Sequence, residues 1–99
     1  MVLVRQVLGE VLREERVRQG RTLRDVSKDA MVSLGYISEI ERGVKEASSE
    51  CLAAVCSALD VPMSSILEHV SHELRRAETA SALTPVDASA FISDVVVAA

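Results

Sequence analysis

The chain has 99 residues, a net charge of −4, and a composition that is 48% apolar but only 2% aromatic. A length this short fits one compact domain with an appendage and leaves little room for a second independent core. No apolar stretch approaches the roughly 20 residues of a membrane span. We therefore expect a cytoplasmic protein with no membrane partner and a core of packed aliphatic helices.

The charge is divided unevenly along the chain, and the division bears on nucleic-acid binding. Residues 1–46 carry nine basic and eight acidic residues, a net charge of +1, whereas residues 47–99 carry two basic and seven acidic residues, a net charge of −5. Phosphate binding depends on Lys and Arg. Any contact with DNA is therefore expected in the front half, because the acidic rear half is a poor DNA surface.

The first predicted helix carries apolar residues at helical spacing and runs toward Gly20, a natural C-terminal stop. Its apolar residues are Val4, Leu8, Val11 and Leu12. Because these positions share one side of a helix, we expect them to face the core.

Two short helices are predicted next. Thr22 supplies an N-cap and Asp25 an acid at the positive end of the helix dipole, so helix 2 is predicted from Leu23 to Ala30. Ser33 is the next N-cap, and helix 3 is predicted from there toward Gly43. The residues expected to face inward are Leu23, Val26, Ala30, Ile37 and Ile40.

Two further helices complete the predicted bundle. Ser48 or Ser49 can cap helix 4, which Asp60 and the restriction imposed by Pro62 should end. Helix 5 begins near Pro62 and continues to about Ala77, which is longer than a five-helix core requires. The inward residues are Leu52, Val55, Cys56 and Leu59 in helix 4, and Met63, Ile66, Leu67, Val70 and Leu74 in helix 5.

The domain is predicted to cover residues 1–78, followed at residues 79–99 by a linker and a C-terminal helix. Thr84, Pro85 and Asp87 supply an N-cap, a first-turn proline and an early acid for that helix. Its apolar stripe cannot remain in water on a lone helix, so it docks either on a second copy or on its own chain.

Two short helices joined by a three-residue turn form the geometry that presents the second helix to a DNA major groove. The segments GRTLRDVS, VSLGYISEIERG and SSECLAAVCSALDVPMSSIL resemble the helix-turn-helix family of phage Cro and repressor proteins. The resemblance covers roughly residues 8 to 70. It implies an all-α, five-helix domain with a C-terminal helical extension, which binds double-stranded DNA, regulates transcription and needs no cofactor.

Within this family, GRTLRDVS and VSLGYISEIERG also resemble actinobacterial regulators of Clp protease genes. That likeness implies an activator of those genes, with RNA polymerase as a partner. It also draws attention to Ala98 and Ala99, which resemble the terminal tags that Clp-type proteases read. A fraying small-residue terminus is the alternative explanation of these two alanines.

The exposed end of helix 3 supplies the expected base contacts, which are Leu34, Gly35, Tyr36 and Glu39. Glu39 can accept from a cytosine amino group, and Leu34 can touch a thymine methyl. Tyr36 can meet a base or a phosphate. The family often has glutamine or another long polar residue here, so Leu34 and Gly35 depart from its pattern and leave the base preference open.

The expected phosphate contacts flank this helix and are Thr22, Arg24, Ser33, Arg42 and Lys45. Helix N-termini offer unpaired backbone donors, and the long cations reach the edges of a groove. The alternative for Thr22 and Ser33 is capping alone, and for the cations a solvated helix face.

The resemblance implies two further features. Family members often pair a helix 1 arginine with the acid near the end of helix 3, which here gives a salt bridge between Arg16 and Glu41. They usually bind palindromic half-sites as homodimers. The expected dimer interface contains Val70, Leu74, Phe91, Ile92 and Val95, with docking within one chain as the alternative.

The cysteines, the histidines and the acidic rear half each suggest an alternative to DNA binding. Cys51 and Cys56 fit buried, reduced thiols better than a metal site. His69 and His72 lie on a helix of mixed charge, which explains them without catalysis, so no enzyme is predicted. The stronger alternative is a protein-interaction module, an antitoxin or anti-regulator that binds through the acidic rear half.

Overall fold

The computed structural model describes residues 2–80, which form five helices and contain no strand. The helices are α1 (Val4–Arg18), α2 (Leu23–Ala30), α3 (Leu34–Glu41), α4 (Ser49–Ala58) and α5 (Met63–Ala80). The predicted all-α, five-helix architecture is thereby confirmed. The predicted C-terminal helix lies outside the described residues, and so do Phe91, Ile92, Val95, Ala98 and Ala99.

Side-chain caps define where the short helices begin. The Thr22 hydroxyl accepts from the Asp25 N–H at 3.0 Å, and the Asp25 carboxylate accepts from the Thr22 N–H at 2.9 Å. The Ser33 hydroxyl accepts from the N–H of Tyr36, and the Ser48 hydroxyl from that of Cys51. The predicted caps of α2 and α3 are therefore confirmed, and Ser48 rather than Ser49 caps α4.

Left-handed residues end these helices and turn the chain. Gly20 and Gly43 have φ values of 70° and 75°. Met31 takes the same conformation, with φ 57°, in the turn between α2 and α3. The Met31 side chain gains little packing in return, because it is 91% exposed. A methionine here costs conformational energy that a glycine would not.

The core is built almost entirely from aliphatic side chains. α1 packs against α3 and α5, and α2 packs against α3 and α4. The buried residues are Val7, Leu8, Val11, Leu12, Val26, Ala30, Ile37, Ile40, Cys51, Val55, Cys56, Leu59, Ile66 and Val70. This arrangement joins α2 and α3 to one common core.

Two residues predicted to face inward lie at the surface. Val4 is 59% exposed because it is the first residue of α1, at the margin of the core, and the buried Val7 takes its place. Leu67 on α5 is 47% exposed. Helical spacing identified the apolar residues, but the extent of the neighbouring helices decides which of them are covered.

Two predictions for α5 are corrected. Val70 is only 4% exposed and belongs to the core of its own chain, so it cannot be a dimer contact. The helix also runs to Ala80, past the predicted start of the linker at Thr79. The Thr79 hydroxyl donates to the Arg75 carbonyl at 2.8 Å, which accommodates a threonine within the last turn.

Across residues 2–80, no single helix is long and apolar enough to cross a membrane. α4 and α5 reach the required length and hydropathy only when taken together, across a bend of 105°.

Candidate nucleic-acid interface

The inner side of α3 is fixed against α1 at close range. Ile37 and Ile40 are each 2% exposed and point into the core. The backbone of Gly9 lies so near α3 that a Cβ there would come within 2.3 Å of the Ile40 carbonyl oxygen and 2.7 Å of the Glu41 carbonyl oxygen. Only a glycine permits this approach, which sets the distance between the two helices.

A largely buried ion pair fixes the C-terminal end of α3. Arg16 donates from Nε to one Glu41 oxygen at 2.8 Å and from Nη2 to the other at 2.9 Å. The side chains are 12% and 7% exposed. Arg16 also donates to the carbonyl of Arg21 at 2.8 Å. The hydrogen bond to Glu41 raises the pKa of Arg16 above its ordinary value. The pair expected from the resemblance therefore joins α1, α3 and the start of the helix-turn-helix.

The outer side of α3 is uncovered by the described residues. Leu34 is 39% exposed, and a Cβ at Gly35 would meet nothing within 4 Å. Leu34, Ser38 and Arg42 follow one another at intervals of four and form one ridge on this side. Ser38 was not among the predicted contacts, although the same spacing indicates it.

Glu39 also lies on this side, but it is not alone. Its carboxylate is 3.8 Å from the ammonium group of Lys45, and both side chains are at least one-third exposed. A lone acid on a DNA-facing helix would repel phosphates, and the neighbouring cation offsets that charge. The structure thus brings together one predicted base contact and one predicted phosphate contact.

Tyr36 is directed elsewhere than predicted. Its hydroxyl donates to the Glu46 carbonyl at 2.9 Å, and the side chain is half-buried. The ammonium group of Lys45 lies 6.0 Å from the centre of the ring. Tyr36 is therefore turned toward the α3–α4 loop, residues 42–48, rather than outward with Leu34 and Gly35.

The predicted phosphate contacts lie at exposed positions around α3. Thr22 and Ser33 stand at the starts of α2 and α3, where they also cap those helices. Arg24 and Arg42 are exposed and form no ion pair within residues 2–80. Arginines of this kind can bind phosphate without first giving up an internal partner.

Arg5, which was not among the predicted site residues, contacts the α3–α4 loop. Its Nε donates to the Gly43 carbonyl at 3.0 Å, and its Nη1 lies 3.6 Å from the Glu46 carboxylate. Gly43 is itself pressed against α1, since a Cβ there would come within 2.8 Å of the Gln6 Cα. The α3–α4 loop is therefore held by α1 as well as by Tyr36.

The cysteines belong to the core, and the histidines belong to α5. Cys51 and Cys56 are buried in the core, and burial raises the pKa of both thiols. His69 lies 3.9 Å from Glu73 on α5. Within the part of the chain that the structure describes, no three His, Cys, Asp or Glu side chains are grouped to hold a metal ion.

Known helix-turn-helix proteins are similar to this chain in sequence. Residues 12–66 match the family model described as Helix-turn-helix. The chain is 55% identical over 83 residues to the transcriptional regulator ClgR of Mycobacterium tuberculosis, covering 84% of this chain and 74% of that protein. These matches favour a DNA-binding regulator over the enzyme and protein-interaction alternatives.

Solved structures agree with the fold. The crystal structure of the clp gene regulator ClgR from Corynebacterium glutamicum has a TM-score of 0.73 and 42% identity, covering 82% of this chain and 88% of that one. The restriction-modification controller protein C.Esp1396I, solved as a tetramer with its natural 35-base-pair operator, has a TM-score of 0.68. The matched region covers 74% of this chain and 96% of the controller protein. At 22% identity, this likeness supports the fold alone.

Proposed function

Since this chain belongs to the helix-turn-helix family of DNA-binding transcription regulators, we propose that it binds two-fold symmetric operators as a homodimer and activates Clp protease genes. The observation that carries the proposal is the outer side of α3, which residues 2–80 leave uncovered, above an inner side fixed to the core. A rigid helix with one free side can enter a major groove without rearrangement of its own domain.

The ridge and its neighbours are the proposed base contacts. Leu34 would pack on a thymine methyl, and Glu39 would accept from a cytosine amino group. Gly35 has no side chain and would let the α3 backbone approach the bases closely. We add Ser38 to this set because it lies between Leu34 and Arg42 on the same ridge. Tyr36 is reassigned to support of the α3–α4 loop.

Phosphates are proposed to bind on both flanks of α3. The α2 and α3 N-termini, capped by Thr22 and Ser33, present backbone N–H groups to one strand. The cations Arg24, Arg42 and Lys45 would contact the backbone by charge. These contacts set the position of the helix but read no sequence.

Dimerisation is proposed to use α5 and the residues that follow it. Leu67 is an exposed leucine on α5, and Leu74 is half-exposed two turns later on the same side. With Val70 removed from the interface, Leu74, Phe91, Ile92 and Val95 remain from the predicted set. We add Leu67 because it is exposed on the same side of α5. An exposed apolar helix side is a common contact between copies.

Sedimentation of the full chain tests the dimer. Leu67→Glu should shift the protein from dimer to monomer, because it places a charge in an apolar contact. Val17→Glu is the matched control, since Val17 is 54% exposed on α1. A dimer that survives Leu67→Glu would remove this side of α5 from the interface.

Activation of Clp protease genes is supported by likeness to relatives named as clp gene regulators. The protein would then act in the cytoplasm, with RNA polymerase as a partner, and Ala98 and Ala99 would make it a substrate of Clp-type proteases. Transcription from a Clp protease promoter by purified RNA polymerase should rise when the protein is added. A fall would indicate repression instead.

Selection of bound duplexes from a random pool tests the DNA-binding proposal as a whole. The unaltered chain should enrich two inverted half-sites whose centres lie about 10 base pairs apart, or a multiple of that. Glu39→Ala should relax the preference at one defined position of each half-site, whereas Tyr36→Phe should weaken binding without changing the preferred sequence. Failure to enrich any sequence would contradict the proposal.

A further inference from the structure

The α3–α4 loop has two tethers that come from different helices. From α1, Arg5 contacts the Gly43 carbonyl and the Glu46 carboxylate. From α3, Tyr36 donates to the Glu46 carbonyl. Glu46 is thus held through its backbone by one helix and through its side chain by another. A short loop with both of these contacts has little freedom to move.

Between the two tethered residues lies Lys45. Its ammonium group is 3.8 Å from Glu39 and 6.0 Å from the centre of the Tyr36 ring. The cation therefore lies beside the outer side of α3, where a DNA strand would pass under the proposed function. Because the backbone of the loop is already held, binding of the Lys45 ammonium group costs side-chain entropy but little further backbone entropy.

The geometry points to a new role for Arg5 as a positioning residue for DNA binding. By holding the α3–α4 loop, it keeps Lys45 beside Glu39, where the cation offsets repulsion by the acid and faces a phosphate. The inference rests on the proposed DNA contact of α3. It assigns to the N-terminal turns of α1 a part in binding that no motif in that segment indicates.

Arg5 is suited to positioning rather than to direct contact. Its guanidinium is engaged with a carbonyl and a carboxylate, and the side chain is 36% exposed. A phosphate contact by Arg5 itself would require it to release both partners. The planar guanidinium presents its donors in a fixed fork that holds both partners in one geometry, whereas the ammonium group of a lysine is a single point charge with rotatable donors.

Salt titrations with a random-sequence duplex test the inference, because phosphate contacts do not depend on sequence. The logarithm of the binding constant falls with the logarithm of salt concentration, with a slope of about −0.9 for each phosphate neutralised. Lys45→Met should therefore reduce the steepness of the slope by about one. Arg5→Met should reduce the steepness by a similar amount, and Tyr36→Phe should reduce it by less than either of these variants.

The double variant decides between positioning and direct contact. Arg5→Met combined with Lys45→Met should bind no more weakly than Lys45→Met alone, since both changes act on one contact. Additive losses would show that Arg5 touches a phosphate itself and would overturn the inference. An unchanged slope in Arg5→Met would overturn it as well.

Two controls separate this result from other causes. Arg13→Met removes an exposed cation of α1 that forms no ion pair within residues 2–80 and should leave the slope unchanged. Thermal unfolding checks that each variant is folded. If Arg5→Met does not fold, Arg5→Lys, which keeps the charge, is used in its place. Slopes measured on random sequence do not depend on operator selection, so the positioning role and the proposed specificity can fail separately.

Discussion

The two sides of α3 differ in how they are held. The inner side is fixed by a glycine contact and a largely buried bidentate ion pair, both of which leave little room for movement. The outer side has exposed residues and one solvent-accessible ion pair between Glu39 and Lys45. Buried contacts are costly to break, whereas exposed pairs contribute little and exchange readily for new partners. One short helix thus combines a fixed attachment with a surface free to bind.

The largest expected effect comes from breaking the inner side at its ion pair. Glu41→Ala leaves the Arg16 guanidinium without its partner in a largely buried place and should lower the free energy of unfolding by about 3 kcal/mol. Chemical denaturation measures the change. Arg18→Ala is the control, because the Arg18 side chain, which pairs with Glu15 on α1, is 70% exposed and its loss should cost less than about 1 kcal/mol. Equal losses in the two variants would show that the Arg16 pair is not buried.

A smaller loss is expected from Gly9→Ala. The added methyl group meets backbone oxygens that cannot rotate away, so α1 and α3 must separate, at a cost of about 2 kcal/mol. Gly35→Ala is the matched variant for the outer side, where the same methyl group meets nothing. It should be neutral or stabilising, because alanine is the better helix former. Denaturation curves that rank the two variants in the opposite order would contradict the difference between the sides.

On the outer side, Lys45→Met should change the free energy of unfolding by less than about 0.5 kcal/mol, because the ion pair with Glu39 is exposed. Its effect should appear in DNA binding instead. Denaturation and duplex titration of the same preparation measure both quantities. A loss of stability as large as that of Glu41→Ala would mean that the outer side also holds the fold together.

The smallest expected effect concerns pH. Hydrogen bonds from Thr22 hold the pKa of Asp25 below its ordinary 3.8. A depressed pKa in the folded state means that the carboxylate stabilises the protein above its unfolded pKa, and that this stability is lost as pH falls through the folded pKa. Asp25→Asn should therefore lower stability at neutral pH and match the unaltered chain in strong acid. A difference that persists in strong acid would contradict the role of the carboxylate. Glu10→Gln, at an exposed position of α1 that forms no ion pair within residues 2–80, serves as the control.

Sequence alone was sufficient where the determining contacts are local. The caps at Thr22 and Ser33 act within three residues, and the bounds of α2 follow from them. The inward positions of Ile37 and Ile40 follow from helical spacing. The pair between Arg16 and Glu41 spans 25 residues and was accessible only through the family resemblance.

What sequence could not supply depends on distant neighbours. Leu67 and Val70 lie on one apolar stripe, and only the packing of α1 on α5 decides that one is exposed and the other buried. Arg5 meets Gly43 across 38 residues, with no motif to indicate it. Tyr36 has the spacing of an outward residue, but an acceptor in the following loop turns it away from Leu34 and Gly35.

Gly35→Leu distinguishes an outer side of α3 that meets DNA from one that takes no part in binding. Residues 2–80 leave open space for a leucine at this position, so the fold should be retained and its stability raised by about 0.5 kcal/mol. Duplex titration should nevertheless show at least about a tenfold loss of affinity, equivalent to 1.4 kcal/mol, because the side chain would occupy the space of the bases. Ala53→Leu on the exposed side of α4 is the control. A folded Gly35→Leu variant that binds the selected duplex as tightly as the unaltered chain would contradict the account.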